Sequence, residues 1–129
     1  MDIPSGFYRV SVKALILDEH NKFMLIREAD NNWEFPGGAI EFEENFRECI
    51  IRELKEEMDL EVSEIGDVPV LVTKFQNLKN IWAINIYYRV KVKDLNFKVT
   101  DECQEIGFFD KETASKLQLL PSVKAYIKA

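Results

Sequence analysis

At 129 residues the chain has the length of one domain, enough to bury roughly two-thirds of the surface its unfolded form exposes. Hydrophobic residues at 47% and charged residues at 31% exclude a disordered or collagen-like chain. A formal net charge of −6 argues against long-range attraction to nucleic acid or an anionic membrane, so an anionic substrate would need a bridging cation.

From Phe7 to Leu17 the alternate positions Tyr8, Val10, Val12, Ala14 and Ile16 are apolar, with Arg9, Ser11 and Lys13 on the opposite face; this predicts a strand. The polar cluster Asp18 to Asn21 then leads into KFMLIR, and a hairpin is the economical reading, with His20 decorating its turn. WEFPGG reads as a loop, since Pro36 fixes one backbone angle and Gly37 and Gly38 free others. Helical spacing runs from about Asn45 to Met58 without proline or glycine.

Beyond it, VPVLVTKF and IWAINIYYRVKV predict strands, the second placing Trp82, Ile84, Ile86, Tyr88, Val90 and Val92 on one face. Trp82 is therefore assigned to the core. FKV and EIGFFD predict two short strands, and KETASKL and SVKAYIK two short helices. The order implies a layered α/β fold around a mixed sheet, as one domain over residues 1–129. No hydrophobic run approaches the roughly 20 residues of a membrane span. Cys49 and Cys103 form no CxxC pair, and MDIPSGFYRV lacks a basic segment followed by an apolar one. A reduced, cytoplasmic setting is expected.

On the helix, Phe46, Ile50, Leu54 and Met58 stack into an apolar row that predicts a buried face. The adjacent row holds Glu53 and Glu57, with Glu56 beside them. Like charges at this spacing destabilise a helix by roughly 0.2–0.5 kcal/mol per pair, more when partly buried. Arg52 can neutralise one glutamate, Glu56 or Glu48, but not the cluster. Mg²⁺ or Mn²⁺, which take hard oxygen ligands and share them with phosphate, would balance it. A calcium loop pattern and zinc-ligand spacing are both absent.

Gly38, Glu44, Arg52, Glu53, Leu54, Glu56, Glu57 and Leu60 fall at the spacing of the Nudix box, preceded by WEFPGG. Over Trp33 to Leu60 the chain thus resembles the Nudix hydrolase family, MutT-like members included. One position departs: Asp59 stands where the family has a glycine after the helix. Asp tolerates a left-handed conformation less well than glycine, so a penalty of up to about 1 kcal/mol or an altered exit is expected.

The resemblance implies a Nudix-type α/β/α sandwich with a mixed β-sheet and a catalytic loop-helix-loop. It also implies metal-dependent hydrolysis of a nucleoside diphosphate linked to a group X, a small-molecule nucleotide-type substrate. Glu53, Glu56 and Glu57 are the implied metal ligands, with the Gly37 carbonyl and Glu105, preferred over Glu102, as additions. Glu53 is the implied base, with Glu44 and Glu105 as alternatives, and Arg52 orients a glutamate. Arg27 and Arg9 are candidates to contact phosphate, Gly38 is a further candidate to bind substrate, and Phe35, Trp33, Asn85 and Tyr87 could wall the pocket, although Trp33 and Phe35 serve equally as packing residues. Cys49 reads as a small filler of the helix face.

Subfamily marks leave the substrate open. Phe75 occupies the place of the proline of ADP-ribose-cleaving members, and Gln76, Asn77 and Leu78 that of the tyrosine of dinucleoside polyphosphate hydrolases. A nucleoside triphosphate or a nucleotide sugar remains. A non-catalytic ligand-sensing module is the alternative, and a monomer or a homodimer fits the sequence equally.

Overall fold

The computed structural model describes residues 6–129. The opening MDIPS, which carries part of the reading of the chain's start and of the 1–129 span, lies outside the described residues. Strand β1 (Arg9–Leu15) lies at the centre, between β4 (Gly37–Ala39), antiparallel to it, and β7 (Trp82–Val92), parallel to it. The long β7 also pairs antiparallel with β6 (Leu71–Gln76) through its first half and β5 (Val62–Ile65) through its second, which completes a mixed sheet. A second, antiparallel sheet joins β3 (Trp33–Glu34), β2 (Phe23–Arg27) and β8 (Glu105–Phe109).

The expected hairpin between the first two strands does not form. A bridge between Leu17 and Phe23 and a bond from the Met24 N–H to the Ile16 carbonyl (2.9 Å) join their near ends, after which they part into different sheets. The reason is in KFMLIR itself: Met24 and Ile26 enter one core cluster, and Phe23 and Leu25 the other. A strand buried on both faces has to lie between two layers.

Helix α1 (Phe46–Met58) covers one face, packing Ile50, Leu54 and Met58 against Val12, Ala14 and Val90. Helix α3 (Pro121–Lys128) covers the other with Val123, against Leu25, Phe35 and Tyr87. The short α2 (Lys111–Ala114) buries Ala114 in that second cluster. The result is an α/β architecture with helices on both sides of the strands.

Asn45 starts α1 through a reciprocal cap: its side chain accepts from the Glu48 N–H (2.8 Å), and the Glu48 carboxylate accepts from the Asn45 N–H (2.9 Å). Asp59 ends it in the left-handed conformation, at φ 55°, with its N–H on the Lys55 carbonyl (3.0 Å) and its carboxylate 3.0 Å from the Lys55 ammonium.

Other expectations need correction. WEFPGG is not a simple loop but β3 and β4 joined at Pro36. FKV forms no strand; Phe97 packs against the core and the Lys98 N–H bonds the Met58 carbonyl (2.9 Å), pinning the segment to the end of α1. Trp82 is 46% exposed rather than buried, its ring lying under the Lys74 ammonium. Among the described residues, no helix is long and apolar enough to cross a membrane.

Candidate active site

Two glycines bring β4 against its neighbours. Gly37 sits at φ 125°, and a Cβ there would run into the Val12 carbonyl and the Lys13 backbone, while one on Gly38 would meet the Glu53 carboxylate at 2.6 Å. With those side chains absent, the Gly37 N–H donates to Glu57 Oε1 (2.8 Å). The Lys13 ammonium, buried below, donates to the Phe35 and Gly37 carbonyls (3.3 Å each) and lies 3.9 Å from Glu34.

Above this frame one oxygen each of Glu53, Glu57 and Glu102 lies within 4.8 Å of the others. Burial pushes the Glu57 carboxyl well above its ordinary pKa, more than nearby Lys13 and the Gly37 N–H pull it down. Burial also raises Glu53, against the pull of Arg52. Three converging carboxylates with nearby Lys13 engaged by carbonyls and Glu34 are a hard oxygen donor set, and a divalent cation fits it. The main-chain carbonyl of Gly37 is held by Lys13, and Glu56 stands more exposed at the cleft rim with an oxygen 3.2 Å from Arg52.

Glu105 does not join this group. The β2–β8 register sets it opposite Arg27, whose Nε donates to it at 3.1 Å, so each residue occupies the other. Arg27 is also absent from the cleft lining, while Glu102, three residues earlier, reaches it.

Arg52 gathers the remaining acids. Its Nε and Nη2 grip both oxygens of Glu44 (2.9 and 2.6 Å), its Nη1 reaches Glu53 (3.0 Å) and Glu56 (3.2 Å), and Nη2 also donates to the Ala39 carbonyl (3.2 Å). Glu48, the other partner considered for Arg52, is occupied by the cap. The Arg52 hydrogen bonds pull the Glu44 carboxyl down to about 2 and outweigh its desolvation. Cys49 is buried beside this group, its thiol pushed up to about 12 by burial, which suits a filler and not a nucleophile.

The carboxylates open into a cleft of about 630 Å³ whose lining includes Arg9, Gly38, Phe75, Asn85, Leu120 and Ser122. Phe35, considered for its wall, is fully buried among Phe23, Tyr87 and Tyr126, and Trp33 packs edge-on against Phe109. Both belong to one core cluster with Leu25, Tyr87 and Val123, while Glu34 between them lines the cleft. Lys13 and Ser122 were not singled out from sequence. The strand alternation that groups Lys13 with Arg9 and Ser11 was the available signal for one, whereas Ser122 depends on how α3 docks, where its hydroxyl donates to Glu34 (2.5 Å).

The chain matches the family model described as NUDIX domain over residues 7–129. It is 28% identical over 116 residues to the mRNA-decapping enzyme subunit 2 of Saccharomyces cerevisiae, covering 88% of this chain and 12% of that one. To the ADP-ribose pyrophosphatase of Methanocaldococcus jannaschii it is 27% identical over 106 residues, covering 79% and 62%. It thus spans less than two-thirds of either relative. Among solved structures, the MutT protein from Methanosarcina mazei superposes with TM-score 0.72 at 24% identity, covering 97% of this chain and 93% of that one. The E. coli ORF135 protein gives 0.75 at 23%, covering 99% and 94%. These two likenesses establish a shared fold. Together with a family match running through β1, the glutamate-bearing α1 and α3, they lead to one conclusion: the chain belongs to the NUDIX domain family.

Proposed function

We propose that the chain is a metal-dependent pyrophosphohydrolase that cleaves a nucleoside diphosphate linked to X into a nucleoside monophosphate and phosphorylated X. Nucleoside triphosphates and nucleotide sugars are the candidate substrates. The observation that carries this reading is the convergence of Glu53, Glu57 and Glu102 at the wall of a cleft that also holds Arg9 and an apolar end. The pyrophosphatase name of the Methanocaldococcus jannaschii relative supports a phosphoanhydride as the bond attacked.

Glu53, Glu57 and Glu102, with Glu56 and the Gly37 carbonyl alongside, would hold Mg²⁺ or Mn²⁺. Such a cation supplies Lewis-acid stabilisation of the charge that develops on the phosphoryl oxygens. Glu53 accepts the proton of the attacking water on a carboxylate oxygen, a role suited to a half-buried group whose basicity burial has raised. Glu44 is a poor base because Arg52 holds it ionised, and Glu105 lies on Arg27. Arg52 fixes Glu53 and Glu56, Lys13 offsets part of the charge around Glu57, and Arg9 and Lys79 are cleft cations available to a phosphate.

Product analysis by ³¹P NMR and mass spectrometry tests this, over nucleoside triphosphates, dinucleoside polyphosphates, ADP-ribose and nucleotide sugars with and without Mg²⁺. Metal-dependent release of a nucleoside monophosphate is expected. Saturable binding without cleavage under either Mg²⁺ or Mn²⁺ would replace the reading with that of a ligand-sensing module.

A further inference from the structure

Of the three carboxylates that converge in the cleft, Glu53 and Glu57 stand on α1, and Glu102 comes from the segment before β8. Glu102 is exposed, and its carboxylate accepts no hydrogen bond and joins no ion pair among the described residues. Like charges this close repel each other, so nothing at the carboxylate itself holds it beside the other two. Its backbone has to hold it there.

That backbone is a tight turn. The Thr100 N–H donates to the Cys103 carbonyl (3.0 Å) and the Cys103 N–H to the Thr100 carbonyl (3.2 Å), which leaves Asp101 and Glu102 at the tip. One side of the turn is tied to the end of β2, where the Ala29 N–H donates to the Asp101 carbonyl (2.9 Å) and the Gln104 N–H to the Arg27 carbonyl (2.7 Å). The other side meets the end of α1, and a helix leaves its last carbonyls without an intrahelical partner. There the Thr100 hydroxyl donates to the Glu57 carbonyl (2.5 Å) and accepts from the N–H groups of Glu102 and Cys103 (3.2 Å each). A hydroxyl has one proton to give and two lone pairs to fill, and all three are used. One oxygen thus joins the main chain of Glu57 to the main chain of Glu102.

We propose that Thr100 is a positioning residue for the metal site, one that sets Glu102 against the carboxylates of α1. Thr100 itself lies outside the cleft lining, so it acts only through the turn it fixes. Without the hydroxyl the turn keeps its ties to β2 but loses this one to α1, and Glu102 is free to swing away from its two like charges. The inference rests on the pyrophosphohydrolase reading for the use of a cation at these carboxylates.

The test is a double-mutant cycle on Mn²⁺ affinity, read as free ion by electron paramagnetic resonance, over wild type, Thr100→Val, Glu102→Gln and the double variant. Valine keeps the shape of threonine and removes the hydroxyl. Thr100→Val should weaken Mn²⁺ binding by about tenfold or more, the usual cost of losing a group that orients a metal ligand. In the Glu102→Gln background the same change should cost less than about threefold, because the ligand it positions is already gone. Thr100→Ser, which keeps the hydroxyl, should bind Mn²⁺ as wild type does.

A Thr100→Val protein that binds Mn²⁺ like wild type would overturn the proposal. So would equal losses with and without Glu102, which would place the effect on Glu57 or on the fold at large. A Thr100→Ser protein that loses Mn²⁺ affinity would overturn it as well, whether or not the valine variant folds, because the hydroxyl is still present. The ³¹P assay in Mg²⁺ runs beside the cycle. The expected cycle in a chain that hydrolyses nothing would support the role of Thr100 and overturn the pyrophosphohydrolase reading alone.

Discussion

Arg52 hydrogen-bonds three glutamates and one main-chain carbonyl, so its fork geometry matters more than its charge. If it positions Glu53 as proposed, Arg52→Lys keeps the charge but loses the grip on both Glu44 oxygens. The expected result is a fall in kcat of about 10–100-fold with KM little changed, since partners that orient a metal site are worth about that much. Steady-state kinetics decides: a rise in KM alone would put Arg52 on the substrate. Glu44, at the other end of the same pair, titrates at about 2 in the fold against an ordinary 4.5. A carboxylate with a depressed folded pKa contributes stability above its ordinary value and loses it as pH falls toward the folded one. Urea unfolding at steps between about pH 7 and about pH 2 should show wild type losing stability faster below about pH 4.5 than Glu44→Gln, which has no such proton to gain.

Whole elements were legible where one local rule governed them and illegible where partners decided. Helix α1 could be read because residues four apart stack, and Ile50, Leu54 and Met58 are indeed fully buried with Asn45 at the cap, whereas Phe46, the first of that row, stays 37% exposed. KFMLIR could not: a continuous apolar run says that both faces are covered, not which strand lies beside it. Trp82 shares the period of Ile86, Tyr88 and Val90, but the cluster beneath α1 takes up those three and leaves Trp82 out. In the candidate site, Glu53 and Glu57 followed from the helical rows. The choice between Glu102 and Glu105 required the β2–β8 register, which no short stretch encodes. Asp59 yields the prediction for this scale. It holds φ 55°, where glycine is preferred by up to about 1 kcal/mol, and gains only an exposed, solvent-screened ion pair with Lys55. Asp59→Gly should therefore raise the melting temperature by about 2 °C and leave activity unchanged, readable by calorimetry. A lower melting temperature would make the Lys55 pair the stronger term.

Across the whole molecule, the fold is arranged around a carboxylate that burdens it. Glu57 is 5% exposed, accepts one bond from the Gly37 N–H, and lies near a lysine already engaged by two carbonyls and Glu34. Its folded pKa is raised well above the ordinary 4.5, chiefly by desolvation. A group so raised favours the fold at low pH and loses that contribution as pH climbs through the folded value, where keeping the carboxylate charged in its buried site costs stability. Glu57→Gln keeps an acceptor for the Gly37 N–H and removes the charge. In chelator, near pH 8, its melting temperature should exceed that of wild type by about 3 °C for each kcal/mol recovered. Added Mg²⁺ should then reverse the order, because a ligand that binds only the folded state stabilises in proportion to its affinity, and the amide is the weaker ligand. Hydrolysis should fall by about 100-fold or more if Glu57 holds the metal as proposed, the strongest effect expected for removing a direct ligand rather than its support. Differential scanning fluorimetry with and without Mg²⁺, beside the ³¹P assay, reads all three. A Glu57→Gln protein less stable than wild type in chelator would mean that Lys13 and the Gly37 N–H already balance the charge, and the main physical reason for a cation at this position would be gone.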